Sequence, residues 1–371
     1  MFGSTIPVVF GHGLDTERLE SPVLPTMLTY ANPRIAMCGT FGFRDIAPSR
    51  AERIGAVESH GHFALAYSVA HQPDLRHYGN EQGFLAYKMV GRTACVLSDP
   101  LASPNHWEGL IDSFLANHRR ATFWQVSSRM ASILADRRFA VNEFGLETWL
   151  DLTKYDFAGP KRRSFRTAEN RFVRSGHRVV EHSVGEFDPI RVEAISLAWR
   201  KTKTNAHREL GFLIRPVQLA DEPGVRKFFL IDADGQPVAF AFFDPIHDDG
   251  QVVGYLSTTR RWRPDIDPLA SYFLVRKAVE TFQAEGKSQL HLGLMPLHGI
   301  DYQAGVGDWM THKAFSIFQS NAWIQRTFYS SQSLSKHKES FEGETRQTYC
   351  ATNGRLAVLS PLSLIRACGI V

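Results

Sequence analysis

From Gly83 onward the apolar and polar positions settle into short alternating runs. Residues 84–90 and 93–97 are short, largely apolar runs on either side of Gly91-Arg92, the pattern of two strands joined by a tight turn. Ser98-Asp99-Pro100 is expected to end the second strand. A helical period follows over 106–117, then a strand over 122–126, a helix over 128–136 and strands over 139–142 and 147–152. The same order returns about 150 residues later. Strands are expected over 227–233 and 237–244, joined at Asp234-Gly235, and over 252–258. A helix over 268–284, stopped by Gly286, leads into a strand over 289–294. One order used twice predicts a tandem duplication. Residues 1–75 carry weak periodicity and many Gly, Pro and His, and read as an N-terminal extension with one or two helices.

Between the two units lies the stretch from Gly159 to Gly176. It gathers Lys161, Arg162, Arg163, Arg166, Arg171 and Arg174 against a single acid, Glu169. Gly159-Pro160 reads as a helix start and Gly176 as a stop. On that helix Phe165, Ala168 and Phe172 share one side, and Arg163, Arg166, Asn170 and Arg174 take roughly the other. Cations in a first turn oppose the helix dipole, a cost that a bound anion would offset. Two readings stay open: a solvated basic helix packed on a sheet, or a phosphate site. Its place at a junction between units, where ligands favour the cleft, supports the second.

Composition narrows the rest. The chain has 371 residues, 43% hydrophobic and 12% aromatic, enough for two well-cored domains. The expected divisions are 1–75 (extension), 76–158 (first unit), 159–185 (basic connecting helix), 186–350 (second unit) and 351–371 (a C-terminal strand and helix). The formal charge is only +4, so the basic excess of 159–176 is local. Cys38, Cys95, Cys350 and Cys368 are far apart, which argues against a zinc ribbon or disulfide scaffold and suits a reducing compartment. Without His-Glu-x-x-His, phosphate-loop, dinucleotide or nucleophile-elbow motifs, no metal or cofactor is expected. No signal peptide and no apolar run of about 18 residues is visible, so a cytoplasmic protein, at most peripheral at the inner membrane face, is expected.

Several strings, in order, resemble one family. They are the hairpin Phe84-Leu-Ala-Tyr-Lys-Met-Val-Gly-Arg-Thr-Ala-Cys-Val-Leu-Ser-Asp-Pro100; Phe123-Trp-Gln-Val126; the segment 143–152 with Glu147; the basic helix; Gly293-Leu-Met-Pro-Leu297; and the tail 334–349. Over roughly residues 75–350 the chain resembles the C-terminal catalytic domain of the phosphatidylglycerol lysyltransferases. The resemblance implies an α/β fold with mixed sheets, made of tandem acetyltransferase-like (GNAT-like) acyltransferase domains with the basic helix at their junction. It also implies an aminoacyltransferase that passes an amino acid from aminoacyl-tRNA to a lipid hydroxyl, or in soluble relatives to a small molecule; no DNA partner is expected.

Such a donor ester is already activated, so the protein must hold the RNA end, place the acceptor and stabilise an oxyanion. Lys161, Arg162, Arg163, Arg166, Arg171 and Arg174 then become candidates for the acceptor-stem phosphates. Arg261, Lys338, Glu147, Asp99 and His291 are the candidate catalytic residues, each weighed against a structural role. Glu147 and Asp99 would orient the substrate amino group. His291 would act as a base, although a histidine on a buried strand is more often structural. Tyr255, Thr258 and Arg263 are the candidate substrate-binding residues. Thr258 stands where the family carries Asp, which puts the acceptor chemistry in question. Thr348 replaces an arginine of the tail motif, with Arg346 close by. Two alternatives are an acyl-CoA or acyl-carrier-protein acyltransferase on the same fold, and a non-catalytic module binding RNA or a membrane surface.

Overall fold

A computed structural model describes residues 42–203, 209–302, 307–320, 331–353 and 360–370. The expectations for residues 1–41, and for a strand beginning at Leu356, fall outside them. Strand β1 (Arg44–Ile46) and helices α1 (Arg50–His60) and α2 (Ala66–His71) come first. The first unit follows as β2 (Arg76–Asn80), β3 (Gly83–Val90), β4 (Thr93–Ala102), α3 (Trp107–Asn117), β5 (Ala121–Val126), α4 (Ser128–Asp136) and β6 (Ala140–Asp151). Helix α5 (Arg163–Arg174), β7 (Arg178–Glu181) and α6 (Pro189–Lys201) lead to the second: β8 (Arg226–Ile231), β9 (Pro237–Asp248), β10 (Gln251–Trp262), α7 (Ala270–Ala284) and β11 (Gln289–Pro296). Helices α8 (Trp309–Ser320) and α9 (Ser331–Glu339), strand β12 (Glu344–Thr352) and helix α10 (Ser360–Ala367) complete the described chain.

The twelve strands form one mixed sheet in the order β1-β2-β3-β4-β5-β12-β6-β11-β10-β9-β8-β7. The expected mixed α/β class with a repeated unit is borne out. Each half carries an antiparallel meander that ends in a parallel pair, β4 with β5 and β10 with β11. The halves then exchange their last strands: β6 pairs with β11 of the second half, and β12 with β5 of the first. Strands β6 and β12 also pair with each other and join the two halves into a continuous sheet.

Alternation decides which helices each strand face meets. Phe84, Ala86, Leu97 and Trp124 pack with α1 and α2, while Leu85, Tyr87, Val96 and Phe123 pack with α3 and α4. In the second half Phe228, Leu230, Ala241 and Phe243 lie under α5 and α7, and Phe229, Ile231, Phe240 and Phe242 under α6. Residues 44–75, expected as part of an extension, thus contribute core side chains such as Val57, Leu65 and Val69.

Three expectations are corrected. Ser98-Asp99-Pro100 does not end β4; Ser98 takes a left-handed φ of 61°, and the strand continues through a bulge to Ala102. The strands expected over 139–142 and 147–152 are one, β6, which is irregular at Gly145. Gly145 has φ 151°, and a Cβ there would lie 2.3 Å from the Met295 carbonyl oxygen, so the close approach of β11 requires glycine. The basic helix starts at Arg163, not at Gly159-Pro160, and ends before Gly176, whose φ of 75° supplies the expected stop. Of the remaining 177–185, Arg178–Glu181 is strand β7.

Candidate active site

The parallel pairs are short. β10 and β11 pair only from Gly254–Leu256 to Gln289–His291, although β10 runs on to Trp262 and β11 to Pro296. Past that point the facing edges must find other partners for their buried backbone groups. Lys338, near the end of α9, supplies one. Its Nζ donates to the Leu294 carbonyl oxygen at 2.7 Å, and Gly293, at φ 77°, leaves room beside the amine. Lys338 is only 4% exposed, and burial, with Arg260 adding to it, pushes its pKa well below the lysine range.

Glu147 lies on β6, opposite Leu294 of β11 and opposite Arg346 of β12. Its carboxylate accepts a 2.7 Å hydrogen bond from Gln125 Nε2. Burial raises its pKa, opposed by Gln125, Arg346 and Lys338. Gln125 sits at the end of β5 in a left-handed conformation, φ 56°, at the position where β12 also slips register. Asp99, beside the β4 bulge, accepts the Ser127 backbone N–H at 2.9 Å. Burial lifts its pKa to about 6, and Glu147 adds to the shift.

His291 closes the paired stretch of β10 and β11, stacked at 6.2 Å on Trp149. Burial, with a smaller push from Arg346, lowers it to about 4, so it is a neutral imidazole near neutral pH. Its Nε2 meets Gln289 Oε1 at 3.1 Å. Thus Lys338, Glu147, His291 and, through Glu147, Asp99 form one neighbourhood across the centre of the sheet.

Beyond the bulge between Ser257 and Thr259, the candidate Arg261 and its neighbour Arg260 take opposite faces. Arg260 pairs with Ala241 and faces α5 and α7; Arg261 pairs with Phe240 and faces α6. Arg261 is buried in an ion pair with Glu209 and a hydrogen bond to Ser196, over the Trp199 ring at 5.3 Å. It does not join the Lys338 neighbourhood. Arg260 does: it donates to Nε2 of His337, the residue before Lys338. Thr258 donates its hydroxyl to the Phe242 carbonyl at 3.1 Å. Tyr255 is stacked on Phe282 at 4.3 Å, with Arg226 donating to its hydroxyl, inside the α7 core. Arg263 is half-buried and pairs with Asp265 at 3.0 Å. None of these last three reaches Lys338.

Gln125, Arg260 and His337 are the site neighbours that sequence reasoning passed over. Gln125 stood inside a quoted strand string, and Arg260 beside the chosen Arg261. Only the bulge decides which of those two arginines faces the site.

Helix α5 buries Phe165, Ala168 and Phe172, as its period predicts. Phe165 contacts Phe341 at 4.8 Å and Tyr272 at 4.9 Å, and Tyr272 contacts His337 at 4.5 Å, which links α5 to the helix carrying Lys338. Its cations fall into two groups. Lys161 pairs with Glu342 at 2.9 Å, Arg162 with Asp156 at 3.0 Å, and Arg171 with Asp267, while Arg166 donates to the Phe157 carbonyl at 2.6 Å. Arg163 and Arg174 are exposed and have no side-chain partner among the described residues. Arg174 lines a shallow open groove with Thr167, Asn170, Arg171 and Ser175.

Among the described residues no group of three or more His, Cys, Asp or Glu is placed to hold a metal ion. No helix among them is long and apolar enough to cross a membrane.

Residues 51–352 match the family described as phosphatidylglycerol lysyltransferase, C-terminal. The phosphatidylglycerol lysyltransferase of Bacillus subtilis is 25% identical over 286 residues, which are 75% of this chain and 32% of that protein. For the Staphylococcus haemolyticus enzyme of the same name the values are 23% over 218 residues, 57% of this chain and 25% of that one. The chain therefore spans a third or less of the length of these relatives. The structure of L-PGS from Bacillus licheniformis superposes with a TM-score of 0.71 at 19% identity, covering 87% of this chain and 97% of that one. The C-terminal domain of a putative lysylphosphatidylglycerol synthetase from Agrobacterium fabrum gives 0.68 at 18% identity, covering 87% and 99%. With more than half of its residues matched and the same fold in both structures, the chain belongs to the phosphatidylglycerol lysyltransferase C-terminal family.

Proposed function

We propose that this chain is an acyltransferase that moves an amino acid from aminoacyl-tRNA to a hydroxyl of a phosphatidylglycerol-like lipid, with a small-molecule hydroxyl or amine as the alternative acceptor. Besides family membership, the observation that carries this reading is the buried Lys338 amine in the β10/β11 gap, beside Glu147. Burial favours the neutral, proton-accepting form of the Lys338 amine, the form a general base needs. In the step it supports, the acceptor hydroxyl oxygen attacks the ester carbonyl while Lys338 Nζ takes the hydroxyl proton. A new C–O ester bond forms, the C–O bond to the terminal ribose breaks, and the proton passes to the departing ribose oxygen. The atoms balance without an enzyme-bound intermediate. Glu147 suits the donor's ammonium group, and Arg260 and Arg346 supply positive potential for the oxyanion. Helix α5 offers Arg163 and Arg174 to the phosphates of the RNA.

Acyl-CoA is a poorer fit. The turn from β10 into α7 carries Asp265 and Asp267, and Asp267 already accepts the Leu269 N–H at 2.8 Å. A pyrophosphate seated there would meet carboxylates. The reading is tested by incubating the chain with charged tRNA pools and phosphatidylglycerol in detergent micelles. One aminoacyl ester should disappear and an aminoacylated lipid appear in the mass spectrum. Ester loss with acetyl-CoA as the sole effective donor, or no loss at all, overturns it.

A further inference from the structure

Helix α8 has one buried side among the described residues. Thr311 and Phe315 face inward, and the Phe315 ring lies 6.1 Å from Phe144 on β6, the strand that carries Glu147. The opposite side is unusual for a solvated helix. Trp309 is 56% exposed, Met310 44% and Ile317 50%, and Lys313 stands among them with its ammonium 5.6 Å from the Trp309 ring. At the helical repeat these four positions fall within an arc of about 100°. Tyr302, 43% exposed, lies beside His312 at the start of the same helix. The helix contains no Asp or Glu.

We propose that this face of α8 is a docking surface for an anionic lipid bilayer. Large apolar chains left in water side by side call for a partner. Trp and Tyr settle at the headgroup level, Met and Ile reach toward the acyl chains, and a lysine stem spreads over apolar surface with its charge at the phosphates. A cation on a helix that has no Asp or Glu of its own complements a negative leaflet. The inference rests on the lipid-acceptor reading, since the helix packs on the same strand as Glu147 and would bring the bilayer to the site's own scaffold.

The test floats the chain with vesicles of phosphatidylcholine alone and of phosphatidylcholine mixed with phosphatidylglycerol. The parent protein should rise with the mixed vesicles. Trp309→Ser combined with Ile317→Ser should weaken that partition about tenfold or more. Lys313→Glu should weaken it for the mixed vesicles and not for neutral ones. The thermal midpoint should stay put, because the changed side chains are exposed. Equal flotation of parent and double variant overturns the proposal. So does sedimentation showing parent self-association that the double variant abolishes, because a second copy would then own the face. Transfer to a short-chain, monomeric phosphatidylglycerol should survive in the double variant. If no lipid accepts the amino acid while flotation still depends on Trp309 and Ile317, the surface stands and the acceptor reading falls.

Discussion

The two gaps at the ends of the parallel strand pairs share a frame and differ in what fills them. Strands β4 and β5 pair from Ala94–Leu97 to Ala121–Trp124 and then stop, much as β10 and β11 do. In the first gap a carboxyl, Asp99, receives a backbone donor, the Ser127 N–H. In the second an amine, Lys338, donates to a backbone acceptor, the Leu294 carbonyl. Burial pushes each toward its neutral form, the acid upward and the amine downward. The first closure is local, between β4 and the residue after β5. The second comes from α9, far along the chain. The repeated strand order thus gives two similar frames, and only the second holds a buried amine, the group proposed as the base. Glu147, on the strand exchanged between the halves, interacts electrostatically with both groups.

The sharpest way to break this contrast is Lys338→Met, which keeps the stem and removes the base. If the second gap is catalytic, single-turnover transfer falls by about a hundredfold to ten-thousandfold while aminoacyl-tRNA binding is unchanged. Loss of only a few-fold would make Lys338 a structural plug, equivalent to Asp99. The same variant has a stability signature of known sign. The folded pKa of Lys338 lies below the unfolded value, so between the two the unfolded chain binds more protons. Stability therefore rises with pH across that window, and the full burial penalty applies below it. Replacing Lys338 with Met should raise the thermal midpoint at neutral pH and flatten its rise toward alkaline pH.

Asp99→Asn probes the first gap with a smaller effect. The folded pKa of about 6 exceeds the ordinary carboxyl value of 3.8, so the folded state binds more protons between them and loses stability as pH rises through that window. Above it the ionised carboxylate costs at most about 3 kcal/mol. Asparagine keeps an oxygen for the Ser127 N–H. The variant should melt higher than the parent above pH about 6, with the difference fading as the parent carboxyl becomes protonated in both states. A difference that does not change with pH would mean that Asp99 is not held against its charge, and the two gaps would no longer be opposites.

Local pattern carried much of this architecture into view. Helix α4 lies where its period places it, and the repeated strand order survives as two meanders with parallel pairs. The exchange of β6 and β12 was not legible, because pairing between distant strands leaves no local period. Naming Arg261 rather than Arg260 has a sharper cause. A bulge inserts a residue and shifts the alternation, so Arg260 takes the face toward α5, α7 and Lys338. Lys338 and Glu147 were legible through family strings; their depressed and raised proton affinities follow from burial, which only packing reveals.

The basic helix offers the finest version of the comparison, between cations the fold has already paired and cations it leaves open. Arg162 and Arg171 have carboxylate partners, so their loss should register partly in local packing. Arg163 and Arg174 are exposed and have no side-chain partner among the described residues, so their loss should register in RNA binding alone. Each phosphate contact removed should reduce the slope of log affinity against log salt by about one. Arg163→Ala with Arg174→Ala should therefore flatten the salt dependence of tRNA binding by about two, with an unchanged thermal midpoint. Arg162→Ala should instead remove both the Asp156 pair and the stacking of its guanidinium over Tyr155 at 4.5 Å, lowering the midpoint. If both variants flatten the slope equally, RNA breaks the internal pairs as it binds, and the whole helix is the contact. If neither does, the groove beside Arg174 is solvent-filled surface, and α5 serves only to hold Phe165 against Phe341 and Tyr272.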